Sequence, residues 1–181
     1  MAFDLGSLLQ QYIGGGSAPA AQAETHFDQA AQNASPDLLQ AGLAAMFRSD
    51  ATPAFGQMAG QLFGQANPNQ QAGMLNQLIA GMGPAVLASL MNKFGGAGAA
   101  GGGLGGLLGQ LSGGAPAITP TQASQLSPEQ VQVIADHAEK SNPGIIDQMS
   151  SFYAQHPTLV KTVGGAALSI ALAKMAEHRS A

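Results

Sequence analysis

The chain has 181 residues, 45% of them hydrophobic, which is enough for one domain or two small ones with a real core. Charged residues make up only 9%, against roughly 25% in a typical domain, so Gln, Asn, Ser and Gly must form a neutral polar surface. Six Lys and Arg scattered singly at net charge −4 exclude the clustered basic surface of a nucleic-acid binder, and zero cysteines exclude disulfides, a thiol nucleophile and a thiolate metal site.

Aromatic residues at 5%, with no Trp, leave few large anchors for stacking on bases or sugars. Asp4 stands at the N-terminus with no basic residue before the first apolar positions, which does not fit a signal peptide. The expected location is therefore cytoplasmic.

Leu5, Leu8, Leu9, Tyr12 and Ile13 fall at i, i+3, i+4, i+7 and i+8, the stripe of an amphipathic helix over residues 3–13. Gly14, Gly15 and Gly16, followed by Ser17-Ala18-Pro19, end it and read as a flexible linker. An interfacial membrane helix carries Lys or Arg on its polar face. This one has Asp4, Ser7, Gln10 and Gln11, which favours docking on protein.

A small polar residue precedes Pro at Ser35-Pro36, Thr52-Pro53, Asn67-Pro68, Thr119-Pro120, Ser127-Pro128 and Asn142-Pro143. Such a residue at the N-cap accepts a hydrogen bond from a free helix N–H, and Pro at the first helical position lacks the N–H that would be orphaned there. Gln70, Gln122 and Gln130 add the capping-box partner three residues after Asn67, Thr119 and Ser127. These starts predict helices near 20–33, 36–48, 53–65, 68–81, 84–93, 120–125, 128–140, 143–155 and 158–177, joined by short loops. No period-2 run of β-branched residues appears, so no sheet is expected. A weak helix–cap–helix repeat centres on Pro36, Pro68 and Pro143 at unequal spacing, which is not a solenoid.

Residues 95–116 are dominated by glycine, at about 1 kcal/mol per helical residue relative to Ala, and read as a linker or loop. Within them Leu104, Leu107, Leu108 and Leu111 form a short apolar set that could dock on a core. Gly101, Gly105, Gly109 and Gly113 fall at four-residue intervals, as do Gly56, Gly60 and Gly64. This spacing marks close helix contact in some proteins, but so much glycine produces it by chance.

The run Thr158–Met175 is apolar on nearly every side, with Leu159, Val163, Leu168, Ile170, Leu172 and Met175 around it and Lys161 and Lys174 its only charges. Such a helix belongs inside a protein. Its uncharged part, 162–173, is shorter than the roughly 20 residues of a bilayer crossing. The chain is thus expected to be all-α, a bundle of short Pro-capped helices around this C-terminal helix. The expected regions are 1–94, a Gly-rich connector over 95–118, and 119–181.

Candidate chemistry is sparse. The four histidines are His26, His137, His156 and His178. Glu24-x-His26-x-Asp28 and Asp136-His137-x-Glu139 put carboxylate and imidazole close in sequence, yet helix neighbours at i and i+2 face different sides. No Glu-x-x-His pair of a di-metal bundle occurs, and no strand or Lys-Ser/Thr accompanies the glycine runs as phosphate binding requires. No catalytic, cofactor or metal residue is assigned. Phe152, Tyr153 and His156 form a polar-aromatic cluster in which Phe152 is expected in the core and Tyr153 near its rim.

The opening Met1-Ala-Phe-Asp-Leu-Gly-Ser-Leu-Leu9, the central Gly102-Gly-Leu-Gly-Gly-Leu-Leu-Gly109, Gln122-Ala-Ser-Gln-Leu126 and Ile145-Ile146-Asp147 resemble the bacterial YidB-like proteins. Phe152–Pro157 and the apolar last helix depart from that pattern. The family has no established activity, so the resemblance implies a small all-helical bacterial protein and carries over no functional residue. The expectation is a non-enzymatic interaction or scaffolding protein that associates with itself or another protein, with Leu5, Leu8, Leu9, Tyr12, Val163, Leu168 and Leu172 at its interface. Two alternatives are a peripheral membrane protein using residues 3–13 and 104–111, and a metal- or ligand-binding bundle using His26 and His137.

Overall fold

Helix starts follow the capping chemistry at four of the six sites. A computed structural model describes residues 4–13, 19–94, 106, 107, 109, 110, 113 and 117–180. Helix α1 spans Leu5–Gln10, α2 Ala20–Asn33, α3 Pro36–Phe47, α4 Phe55–Gln65, α5 Pro68–Gly81 and α6 Pro84–Phe94. After the Gly-rich stretch come α7 Pro120–Ala123, α8 Pro128–Ser141, α9 Ile145–Ala154, α10 Pro157–Val160 and α11 Gly165–Ser180. No strand occurs among the described residues, and the protein is all-α. The expected linker at Gly14–Gly16 and most of the glycine stretch, including Leu104, Leu108 and Leu111, lie outside the described residues. Gly106, Leu107, Gly109 and Gln110 are helical, and Leu107 is buried.

Ser35 accepts a hydrogen bond from Leu38 N–H, while Asn67, Thr119 and Ser127 each form a complete capping box with Gln70, Gln122 and Gln130. The other two sites depart from expectation. Thr52 Oγ1 donates to the carbonyls of Met46 (2.7 Å) and Ser49 (2.8 Å), tying off the turn after α3, and α4 begins only at Phe55. Asn142 Nδ2 donates to Gly81 O at 3.0 Å and its Oδ1 accepts from Gly144 N–H at 3.1 Å, so the side chain clamps the end of α5 and α9 starts at Ile145.

The chain divides into two units: Met1–Ala54 with Ser150–Ala181, and Phe55–Met149. The division therefore does not follow the expected regions 1–94, 95–118 and 119–181. The first unit joins helices from both halves of the sequence, because the apolar run near the C-terminus is covered by α1, α2 and α3.

In this first unit α11 packs on α3 and α2, with Leu168, Ala171, Leu172 and Met175 at 0% exposure. The expected continuous helix over 158–177 is broken. A 3-10 turn at Lys161–Val163 follows α10, and Gly164 takes φ +98 before α11 starts. That left-handed φ suits glycine, and the adjoining Gly165 lies where a Cβ would come within 2.7 Å of Ala20 O. The close approach to α2 fixes the break. Lys161 Nζ pairs with Asp28 Oδ2 at 2.8 Å beside it.

In the second unit α4 lies along α8, and α5 packs against α7 and α8. The four-residue glycine spacing on α4 is structural after all. A Cβ on Gly56 would come within 2.9 Å of Gln132 O, and one on Gly60 within 2.6 Å of Pro128 O. Backbones that close admit no side chain between them. Past the glycine stretch, Asn76 Oδ1 accepts from Ile118 N–H (2.8 Å) while its Nδ2 donates to Ile118 O (3.2 Å), fixing the returning chain to α5.

Candidate functional site

The first unit carries a cleft where α1 meets the end of α11. Helix α1 owes its start to Asp4, whose Oδ1 accepts from the N–H groups of Gly6 (2.8 Å) and Ser7 (3.4 Å) and whose Oδ2 accepts from Ser7 Oγ (3.0 Å). These bonds, the Ser7 hydroxyl first and then the two amides, hold the Asp4 carboxyl below its ordinary range, and Arg179 on α11 adds to the effect.

Leu8, Leu9 and Tyr12 point inward, at 6%, 1% and 1% exposure, and α1 contacts both α11 and α2. Tyr12 OH lies 2.7 Å from His26 Nδ1 on α2, the rings meeting edge to face with centroids 5.8 Å apart. A phenol can donate or accept, so either tautomer of the imidazole keeps this bond. Burial raises the Tyr12 hydroxyl pKa.

After Gln10 the helix tightens into i→i+3 bonds, Gln11 N–H to Leu8 O, Tyr12 N–H to Leu9 O and Ile13 N–H to Gln10 O. The extra rotation per residue of such a turn carries Ile13 off the inward stripe. Ile13 is 49% exposed, the one exposed large hydrophobic side chain among the described residues. It lines, with Gly6, Leu9, Gln10, Ala176 and Arg179, a cleft of about 200 Å³. A second hollow of about 150 Å³ in the same unit is floored by Leu39 and edged by Gln40, Ser151 and Gln155.

Of the residues expected at an interface, Leu8, Leu9, Tyr12, Leu168 and Leu172 bury their surface within the first unit, whereas Leu5 and Val163 are half-buried. The inward stripe of α1 is thus taken up by its own chain, and Ile13 at its edge is left outside. His26 belongs to the first unit and His137 to the second. His137 Nδ1 lies 3.1 Å from Val133 O on its own helix. Among the described residues no three His, Asp or Glu side chains are placed to hold a metal ion. No single described helix is long and apolar enough to cross a membrane; the bent pair α5 and Pro84–Leu90 of α6 passes on length and composition alone.

The aromatic cluster reverses its expected order. Tyr153 is fully buried against Phe47 at 5.4 Å between ring centroids, and Phe152 is half-buried, stacked toward His156 at 4.6 Å. Burial pushes the Tyr153 hydroxyl pKa far up, and that hydroxyl has no hydrogen-bonding partner among the described residues.

The residues that sequence reasoning missed are Arg179 and Gly6, whose lack of a side chain admits the Arg179 guanidinium, with Nη1 3.2 Å from where a Cβ would lie. No local signal marks either one. The site defines an all-α protein with a small, mainly uncharged cleft beside a docked N-terminal helix. Comparison with protein families, with characterised proteins and with solved structures finds no match, so its role is argued from its own chemistry.

Proposed function

We propose that this chain is a non-enzymatic bacterial scaffolding protein, working in the cytoplasm, that associates with itself through the surface around Ile13, where α1 meets α11. The observation that carries the reading is Ile13, half exposed at the rim of a cleft that could receive an aliphatic side chain. An exposed aliphatic residue beside a cleft, here lined by Leu9 and Ala176 with Gln10 and Arg179 at its polar side, offers a self-complementary contact between copies. Surface charge opposes it weakly. No residue from Ala51 to Asn92 carries a charge, and the net charge is −4 over 181 residues, so long-range repulsion between copies is small. The resemblance to YidB-like proteins agrees with a small helical bacterial protein.

Light scattering on the full chain across a wide concentration range tests this reading. The expected result is a mass that rises above that of one chain, and a weaker rise for Ile13→Glu. A single-chain mass throughout would overturn it.

A further inference from the structure

We propose that two copies of this chain associate by exchanging α1, each helix leaving its own seat on α2 and α11 to fill the same seat on the other copy. The inference rests on the self-association above and gives it a geometry.

At six residues, α1 is far below the roughly 12–15 residues at which an isolated helix becomes even marginal in water. It is helical because it is seated, and its seating rests on Leu8, Leu9, Tyr12 and the bond to His26. Against these stands the entropy of ordering the whole segment. Release of α1, a short helix at the start of the first unit, is therefore a low-cost opening of that unit.

A released α1 leaves uncovered the apolar surface of α11 and α2 and the imidazole of His26. A second copy offers a helix already shaped for that seat, including the hydroxyl that meets His26. Exchange remakes every contact of the closed chain and requires no new surface. The sequence between Gln10 and Ala20 holds Gly14, Gly15 and Gly16 in succession, and glycine, without a Cβ, accepts the change of backbone path that exchange requires.

Ile13 stands where the chain leaves α1 and is half exposed in the closed form. In an exchanged pair the two chains cross at that point, and each Ile13 gains cover from the other copy.

The test uses the full chain. Equal amounts of isotope-labelled and unlabelled protein are mixed, brought to the concentration where the mass doubles, and searched by isotope-filtered NMR for contacts between the Tyr12 and His26 rings. Contacts between a labelled and an unlabelled chain support exchange. A dimer whose Tyr12–His26 contacts all lie within one chain overturns it and leaves self-association standing, whereas absence of any dimer overturns both.

A second measurement follows Tyr12→Phe. The variant loses the same bond from closed and exchanged forms, so the equilibrium dimer fraction stays constant while interconversion speeds up about 5- to 10-fold. A collapse of the dimer fraction would overturn the proposal.

Discussion

The two units each seat one helix closely on another, with opposite materials. In Phe55–Met149, α4 reaches α8 through Gly56 and Gly60, and backbone carbonyls stand where side chains would be. In the unit built from Met1–Ala54 and Ser150–Ala181, α11 meets α3 and α2 through Leu168, Leu172 and Met175. One contact depends on nothing being there, the other on a filled volume. The first should fail when a residue is enlarged, and the second when one is trimmed.

The protein supplies a probe that separates them. Both tyrosines, Tyr12 and Tyr153, fall in the unit with α11 and there is no Trp, so tyrosine fluorescence reports that unit alone. The largest effect is expected for Leu172→Ala, which removes a fully buried side chain from α11 and should cost about 3–4 kcal/mol. Denaturant titration followed by tyrosine emission should show the loss, while hydrogen exchange in α4 and α8 stays as in the parent. Equal loss in both would end the comparison.

Gly60→Leu is the converse. Its side chain would press on Pro128 O, a backbone atom that cannot swing aside, and the expected cost is about 2–3 kcal/mol. Exchange should accelerate along α4 and α8 with the tyrosine transition unmoved. Gly164→Ala tests the break before α11. The φ of +98 suits no side chain, so about 1–2 kcal/mol should be lost from the tyrosine transition.

Asn67→Ala removes one capping box and should cost about 1 kcal/mol, read from faster exchange at the start of α5. The smallest effect is acid-induced. The Asp4 carboxyl lies below its ordinary range in the folded chain, so its contribution is complete above that range and is lost as pH falls through the folded value. Exchange at Leu8 and Leu9, corrected for the intrinsic rate at each pH, should therefore lose protection as pH falls through and below the ordinary carboxylate range, and Asp4→Asn should abolish the pH dependence.

Much of the local architecture was legible in the sequence. Asn67 with Gln70, Thr119 with Gln122 and Ser127 with Gln130 mark helix starts because the whole capping interaction spans four residues. Thr52 and Asn142 look the same in sequence, but their side chains bond to Met46 O and Gly81 O, and only the fold brings the second of these near. The α4 glycines were visible as a spacing, whereas the α8 carbonyls that give it meaning lie far along the chain. Ile13 continued the apolar stripe on paper, and one tightened turn moved it outside. The division after Ala54 and Met149 has no local mark, because it follows which distant helices cover α11.

The split make-up of the first unit also bears on the order in which the newborn polypeptide matures. Helices α1 to α3 leave the ribosome well ahead of α11, with all of Phe55–Met149 translated in between. At roughly 5–20 residues per second, the early helices wait on the order of ten seconds for the partner that completes their core. The inserted unit is contiguous and has no such delay, so it should be the first part of the nascent protein to resist a protease.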